Sequence, residues 1–344
     1  MRSGAVHLLC RLLAVPETAL RVDAGRWSEV ITVARAELLI GSLAFRLRGL
    51  PLPARVEAIL AAAIRSAEEG RRQALWEAEM ARRALAPLGC KVVLLKGTAF
   101  VAAGLDAGRG RHIGDLDILV PRAVLDASEA ALLAAGWEWV KPDPYDDSYY
   151  RRWMHELPPL IHRERDRMID VHHTILPPTA RLTPDAAQLL AAAEPLEGGL
   201  SILSPEDMVV HAAIHLFADG DLSGGLRNLW DIDRLVREFT ARDPDWQVRL
   251  ARRAATHQAE RVVSRALRAA HLLFDTPVAE GRAERVFDTI ARRRLLARDG
   301  WGRGIRPATR LAFYVRSHWL RMPPAMLARH LWIKAKSRGR RESA

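Results

Sequence analysis

Cysteine is scarce in this 344-residue chain, with only Cys10 and Cys90 present. Two thiols far apart, sharing no ligand spacing, exclude a disulfide framework or a zinc knuckle and point to a reduced, cytoplasmic protein. Long apolar runs are also missing, so no stretch approaches the roughly 20 residues needed to span a bilayer. The start, MRSGAVHLLCRLLAVPETAL, imitates a signal peptide only faintly. Arg11 splits its apolar run, and Glu17 follows Pro16 where small residues would prepare a cleavage site. Aromatic residues make up 6% of the chain, and no period of 20 to 50 residues repeats itself. Acidic residues are nearly absent from one end. Residues 301–344 hold eleven Lys/Arg against Glu342 alone, so most of the net charge of +11 sits there and the other 300 residues are near neutral. The basic tail suits RNA, an anionic membrane surface or an acidic partner, and equally a solvated cationic end.

What is present leans towards helix. Hydrophobic residues make up 49% of the chain, and alanine, leucine and arginine are plentiful. Residues 1–88 form an N-terminal helical region: Trp27, Val30, Ile31, Val33, Ala34, Leu38 and Leu39 keep a 3.6-residue spacing. A long helix follows Pro51 and Pro53, from about 54 to 86. Residues 89–176 change to an α/β pattern, and residues 177–344 return to helices and end in the basic tail. Ser204-Pro205-Glu206-Asp207 has the composition of a helix start, with a serine cap, a proline in the first turn and acids against the dipole.

The segment KVVLLKGTAFVAAGLDAGRGRHIGDLDILV, residues 91–120, carries the chemistry. Four apolar residues from Val92 to Leu95 suit a buried strand, with a strand expected over 91–95 and a helix from about 98 to 104. In Asp115-Leu116-Asp117-Ile118-Leu119-Val120 the alternation of a strand sends Asp115 and Asp117 to one side and the apolar residues to the other. A hairpin is expected from Leu160-Ile161-His162 and Met168-Ile169-Asp170-Val171-His172, turning at 164–167. Its second arm faces Asp170 and His172 away from the core, making Asp170 a third acid able to join Asp115 and Asp117. Carboxylates gathered beside a glycine turn and basic residues fit a hard cation and a phosphate. Gly97-Thr98 offers backbone N–H groups to a phosphate, and Lys96 and Arg111 offer charge.

Asp231-Ile232-Asp233 is a second D-x-D, but Trp230, Ile232, Leu235 and Val236 place it on a helix. Positions two apart there diverge by about 200°, so it cannot clamp one metal pair. His211 and His215 lie one helical turn apart with no further ligand nearby.

Leu95-Lys96-Gly97, Arg111, Asp115-Leu116-Asp117-Ile118-Leu119-Val120 and Ile169-Asp170-Val171-His172 together resemble the DNA polymerase β-type nucleotidyltransferase superfamily. The resemblance is closer to its bacterial branch of uncharacterised nucleotidyltransferase family proteins. It extends through Ser204-Pro205-Glu206-Asp207, Leu229-Trp230-Asp231-Ile232 and Asp245-Trp246. Thr98 stands where the superfamily often has serine or glycine, and the stretch from Gly97 to Asp115 is long. The resemblance implies an α+β fold, a mixed sheet flanked by helices, with residues 89–176 as the catalytic core. It implies a Mg²⁺-dependent enzyme that transfers NMP from an NTP to a hydroxyl acceptor (small molecule, saccharide or protein) and releases pyrophosphate. Asp115 and Asp117 would bind two Mg²⁺ ions, and Asp170 would hold the second and help deprotonate the acceptor. Gly97 and Thr98 would cradle the β- and γ-phosphates, assisted by Lys96 and Arg111. Two alternatives stand beside it: a same-fold enzyme acting on RNA or tRNA, toxin-like, and a nucleotide-binding module without turnover.

Overall fold

A computed structural model of the protein describes residues 4–140, 150–151, 153–278 and 286–321. The Tyr/Asp-rich loop up to residue 149 and the basic tail beyond Arg321 lie outside the described residues.

The N-terminal region is helical, as its periodicity requires. Helix α1 (Ala5–Ala14) buries Val6, Leu9, Cys10, Leu12 and Leu13. Helix α2 (Ala24–Ala36) starts where the Asp23 carboxylate accepts the Arg26 N–H at 3.0 Å. Helix α3 (Ile40–Arg46) is short. Helix α4 (Ala54–Leu85) runs 32 residues from Pro53 and ends through a 3₁₀ turn at Gly89. The backbone of α3 presses on the loop that leads to the acidic strand. Gly41 and Gly110 meet so closely that a Cβ on either would strike the other's backbone.

The middle of the chain builds the sheet: β1 (Val93–Leu94), α5 (Lys96–Ala102), β2 (Leu116–Leu119), α6 (Leu125–Ala134), β3 (Trp137–Trp139), β4 (Leu160–His162), β5 (Met168–His172), α7 (Ala186–Ala192), β6 (Glu194–Pro195) and β7 (Ser201–Ile202). The strand order is β3-β4-β5-β2-β1-β7-β6. β4 and β5 form the expected hairpin, Leu160 opposite Ile169. β2 lies antiparallel to β1 and parallel to β5. The first strand is shorter than 91–95, although the Leu95 N–H still bonds the Asp117 carbonyl at 3.0 Å. Helix α5 begins at Lys96, two residues before its expected start. The β6–β7 pair has no counterpart in the sequence reading: two-residue strands around Gly198-Gly199 are too short to show alternation.

Helices then return as α8 (Pro205–Ile214), a π-turn at His215–Asp219, α9 (Gly225–Arg242), α10 (Trp246–Thr256), α11 (Glu260–Phe274), α12 (Val286–Leu295) and α13 (Pro307–Arg321). Ser204 caps α8, its hydroxyl accepting the Asp207 N–H at 3.2 Å. The architecture is α+β: a mixed seven-stranded sheet flanked by helices, with one apolar core continuous from Ala5 to Phe313. Among the described residues no helix is long and apolar enough to cross a membrane.

Candidate functional site

Asp117 and Asp170 sit directly opposite each other on the parallel strands β2 and β5. Side chains alternate along a strand and registered partners share a face, so the two carboxylates must lie side by side. Asp115, one residue before β2, is exposed and completes the group. One carboxylate oxygen from each of the three lies within 4.8 Å of the others. The three acids singled out in the sequence are therefore brought together, although they span 55 residues of chain.

Asp117 is the buried member, 3% exposed. Lys96 Nζ donates to its Oδ1 at 2.6 Å, and His172 Nε2 lies 3.1 Å from the same oxygen. Both contacts use Oδ1, and Oδ2 has no protein hydrogen bond among the described residues. Burial disfavours the Asp117 charge, but Lys96 and His172 outweigh it and hold the carboxyl far below the usual range. Lys96 responds in kind: burial opposes its charge and Asp117 raises its pKa. Lys96 also holds a left-handed backbone, φ +49°, at the turn from β1 into α5. That conformation is uncommon for a residue with a side chain, and such strain collects at functional sites.

Among the described residues no cation is bonded to Asp170. Burial, then Glu156 and Asp117 nearby, push its pKa up to about 7. Glu156 is the site residue that the alternation of the sequence does not reveal. It forms an isolated bridge opposite His172, so its carboxylate stands on the same face. Its Oε2 is 3.4 Å from His172 Nδ1 and 3.6 Å from His155 Nε2. Burial raises the Glu156 pKa, while Asp117 and Glu156 raise that of His172 against its own burial. His155, His172 and Glu156 thus form a second ligand-type cluster that touches the first through the His172–Asp117 contact. Nothing in Met154-His155-Glu156-Leu157 has a strand-like period, which is why only His172 of this group stands out in the sequence.

The remaining candidates sit behind the carboxylates. Gly97 and Thr98 are buried in the first turn of α5. Arg111 is 6% exposed, and its Nε donates to Asp231 Oδ2 at 3.0 Å. Its guanidinium occupies the space a Cβ on Gly97 would need, so a side chain there would have to displace the arginine held by Asp231. The second D-x-D lies on α9 as expected, and its carboxylates diverge: Asp231 meets Arg111, while Asp233 holds Arg237 at 2.9 Å and Thr276 at 2.7 Å. His211 is buried with its charge suppressed by that burial, and His215 Nδ1 lies 3.4 Å from Asp219. Both line a cleft with Lys96, Arg111, Asn228 and Asp231.

Three carboxylates converge with one oxygen of Asp117 open, and among the described residues no cation is bonded to Asp170. All-oxygen ligation of this kind suits a hard divalent cation. The residues fit.

A sequence model describing an uncharacterised nucleotidyltransferase matches residues 23–275, a span holding every residue of the site. No curated protein matches the chain.

Proposed function

This chain belongs to the uncharacterised nucleotidyltransferase family, and on that premise we propose that it transfers a nucleoside monophosphate from an NTP to a hydroxyl-bearing acceptor. The observation that carries the reading is the register that sets Asp117 beside Asp170, with Asp115 closing the group. Asp115, Asp117 and Asp170 would hold two Mg²⁺ ions; bound there, they would screen the triphosphate and favour attack at its α-phosphorus. The acceptor oxygen forms the new bond to phosphorus as the bond to pyrophosphate breaks, and the hydroxyl proton passes to Asp170. Lys96 fixes the Asp117 rotamer and presents positive charge where the polyphosphate lies. Gly97 and Thr98 shape the turn beneath it, and Arg111, braced by Asp231, stands behind that turn as a fixed charge. Little covalent work is asked of the protein beyond positioning and charge neutralisation. The cytoplasm, where NTPs are plentiful and thiols stay reduced, is the compartment this reading calls for.

The test is label transfer from α-³²P-NTPs into cell extract with Mg²⁺. Incorporation by the wild type, abolished by Asp115→Asn and by Asp117→Asn in folded protein, is the expected result. Transfer retained in both variants would remove the site. The concentration of cationic residues in 301–344 favours RNA as a second acceptor class. For RNA, labelling should fall steeply with salt and on deletion of residues 334–341.

A further inference from the structure

Of the described cations near the carboxylates, two are already matched. Lys96 is bonded to Asp117 and Arg111 to Asp231. Arg227, in the first turn of α9, has no carboxylate partner among the described residues. Its Nη1 donates to the His112 carbonyl at 3.5 Å, the limit of a hydrogen bond. A half-buried guanidinium without a counter-charge is costly, and its large donor set ordinarily finds carboxylates or phosphates. Burial, followed by repulsion from Arg111, lowers its pKa, while Asp231, Asp115 and Asp117 all act on it favourably, so it stands near the acids without touching them.

Two further observations agree. Helix α9 starts at Gly225 with no side chain capping it and no acid in its first turn. Its leading N–H groups and the positive end of an 18-residue helix are therefore without a side-chain acceptor. Asn228, next to Arg227, lines the same cleft as Lys96. The pKa of the neighbouring His112 is lowered by partial burial and then by Arg227, Arg111 and Arg167, with Asp115 acting the other way. Arg227 thus reaches the loop that precedes Asp115 with no carboxylate bonded to it among the described residues.

We propose that Arg227 and the first turn of α9 bind the terminal phosphates of the nucleoside triphosphate, opposite the carboxylates of β2 and β5. The inference rests on the transferase reading and adds to it the part that receives the leaving pyrophosphate. The guanidinium donates to the β- and γ-phosphate oxygens in place of the His112 carbonyl. The scissile bond then lies between the acids, which face the α-phosphorus, and the helix, which takes the pyrophosphate.

The experiment compares wild type, Arg227→Lys and Arg227→Met, all checked for an unchanged melting temperature, by NTP kinetics and by inhibition with pyrophosphate. A charge-assisted bidentate contact predicts that KM for the NTP rises roughly tenfold or more in Arg227→Met. Pyrophosphate inhibition should weaken in parallel, kcat should change far less, and Arg227→Lys should be intermediate. Unchanged KM and unchanged inhibition overturn the inference, as does a raised KM with inhibition intact, which would move the contact to the nucleoside. If the wild type transfers nothing from any of the four NTPs, the transferase reading fails separately. Calorimetric titration with Mg²⁺-tripolyphosphate then decides the anion site: binding by wild type that is lost in Arg227→Met sustains it, and equal or absent binding overturns it.

Discussion

Asp117 carries more of the site than either of its acidic neighbours, because it is the one fixed by protein contacts. Lys96 and His172 hold one of its oxygens and the other is open. Asp117→Asn should therefore lower transfer by about a hundredfold or more, the scale of a lost electrostatic contact in a transition state. Asp170 behaves in the opposite way. Its pKa rises on folding from 3.8 to about 7, so its ionisation costs stability once the pH exceeds its unfolded value, with the full cost reached above about 7. In the metal-free protein, Asp170→Asn should raise the melting temperature by several degrees near pH ~8, and by less near pH ~5. Equal gains at both pH values would show that Asp170 is not the strained carboxyl. The three acids were legible in the sequence because a strand has a period of two. Glu156 was not, because it reaches the face through an isolated bridge that leaves no periodic trace.

At the scale of elements, the turn from β1 into α5 is shaped by Arg111. Gly97→Ala forces a methyl group into the guanidinium and should destabilise by about 1–3 kcal/mol, measured by denaturant unfolding. Arg111→Met leaves Asp231 charged and buried, at a cost of roughly 3–5 kcal/mol, whereas Arg111→Met with Asp231→Leu should cost clearly less. Additive losses in that cycle would mean the ion pair is not what joins the turn to α9. Nothing in Gly97-Thr98 reveals that Arg111, fourteen residues on, packs against that turn. Elements with local signals were readable: the Ser204 cap, the 32-residue α4 and the 160–172 hairpin. The π-turn and the two-residue strands, set by tertiary packing, were not.

Across the whole molecule, the site is assembled from distant stretches. The sheet supplies Asp117 and Asp170, while α9 supplies the Asp231 that holds Arg111, with one core beneath them. Bound Mg²⁺ should stabilise the protein with the logarithm of its concentration once that exceeds Kd, and the shift should vanish in Asp115→Asn/Asp117→Asn. A melting point indifferent to Mg²⁺ in the wild type would count against the metal site. The basic charge near the C-terminus could be read only as composition, because charge alone names no acceptor.

The meeting of Gly41 with Gly110 has a practical consequence for anyone trimming this protein. The first helices form the anvil on which the stretch before Asp115 is bent, so a minimal catalytic fragment cut at the start of the sheet would mis-set both Arg111 and Asp115. Gly41→Val should reproduce that injury in the intact chain, removing Mg²⁺-dependent stabilisation from a position remote from every ligand.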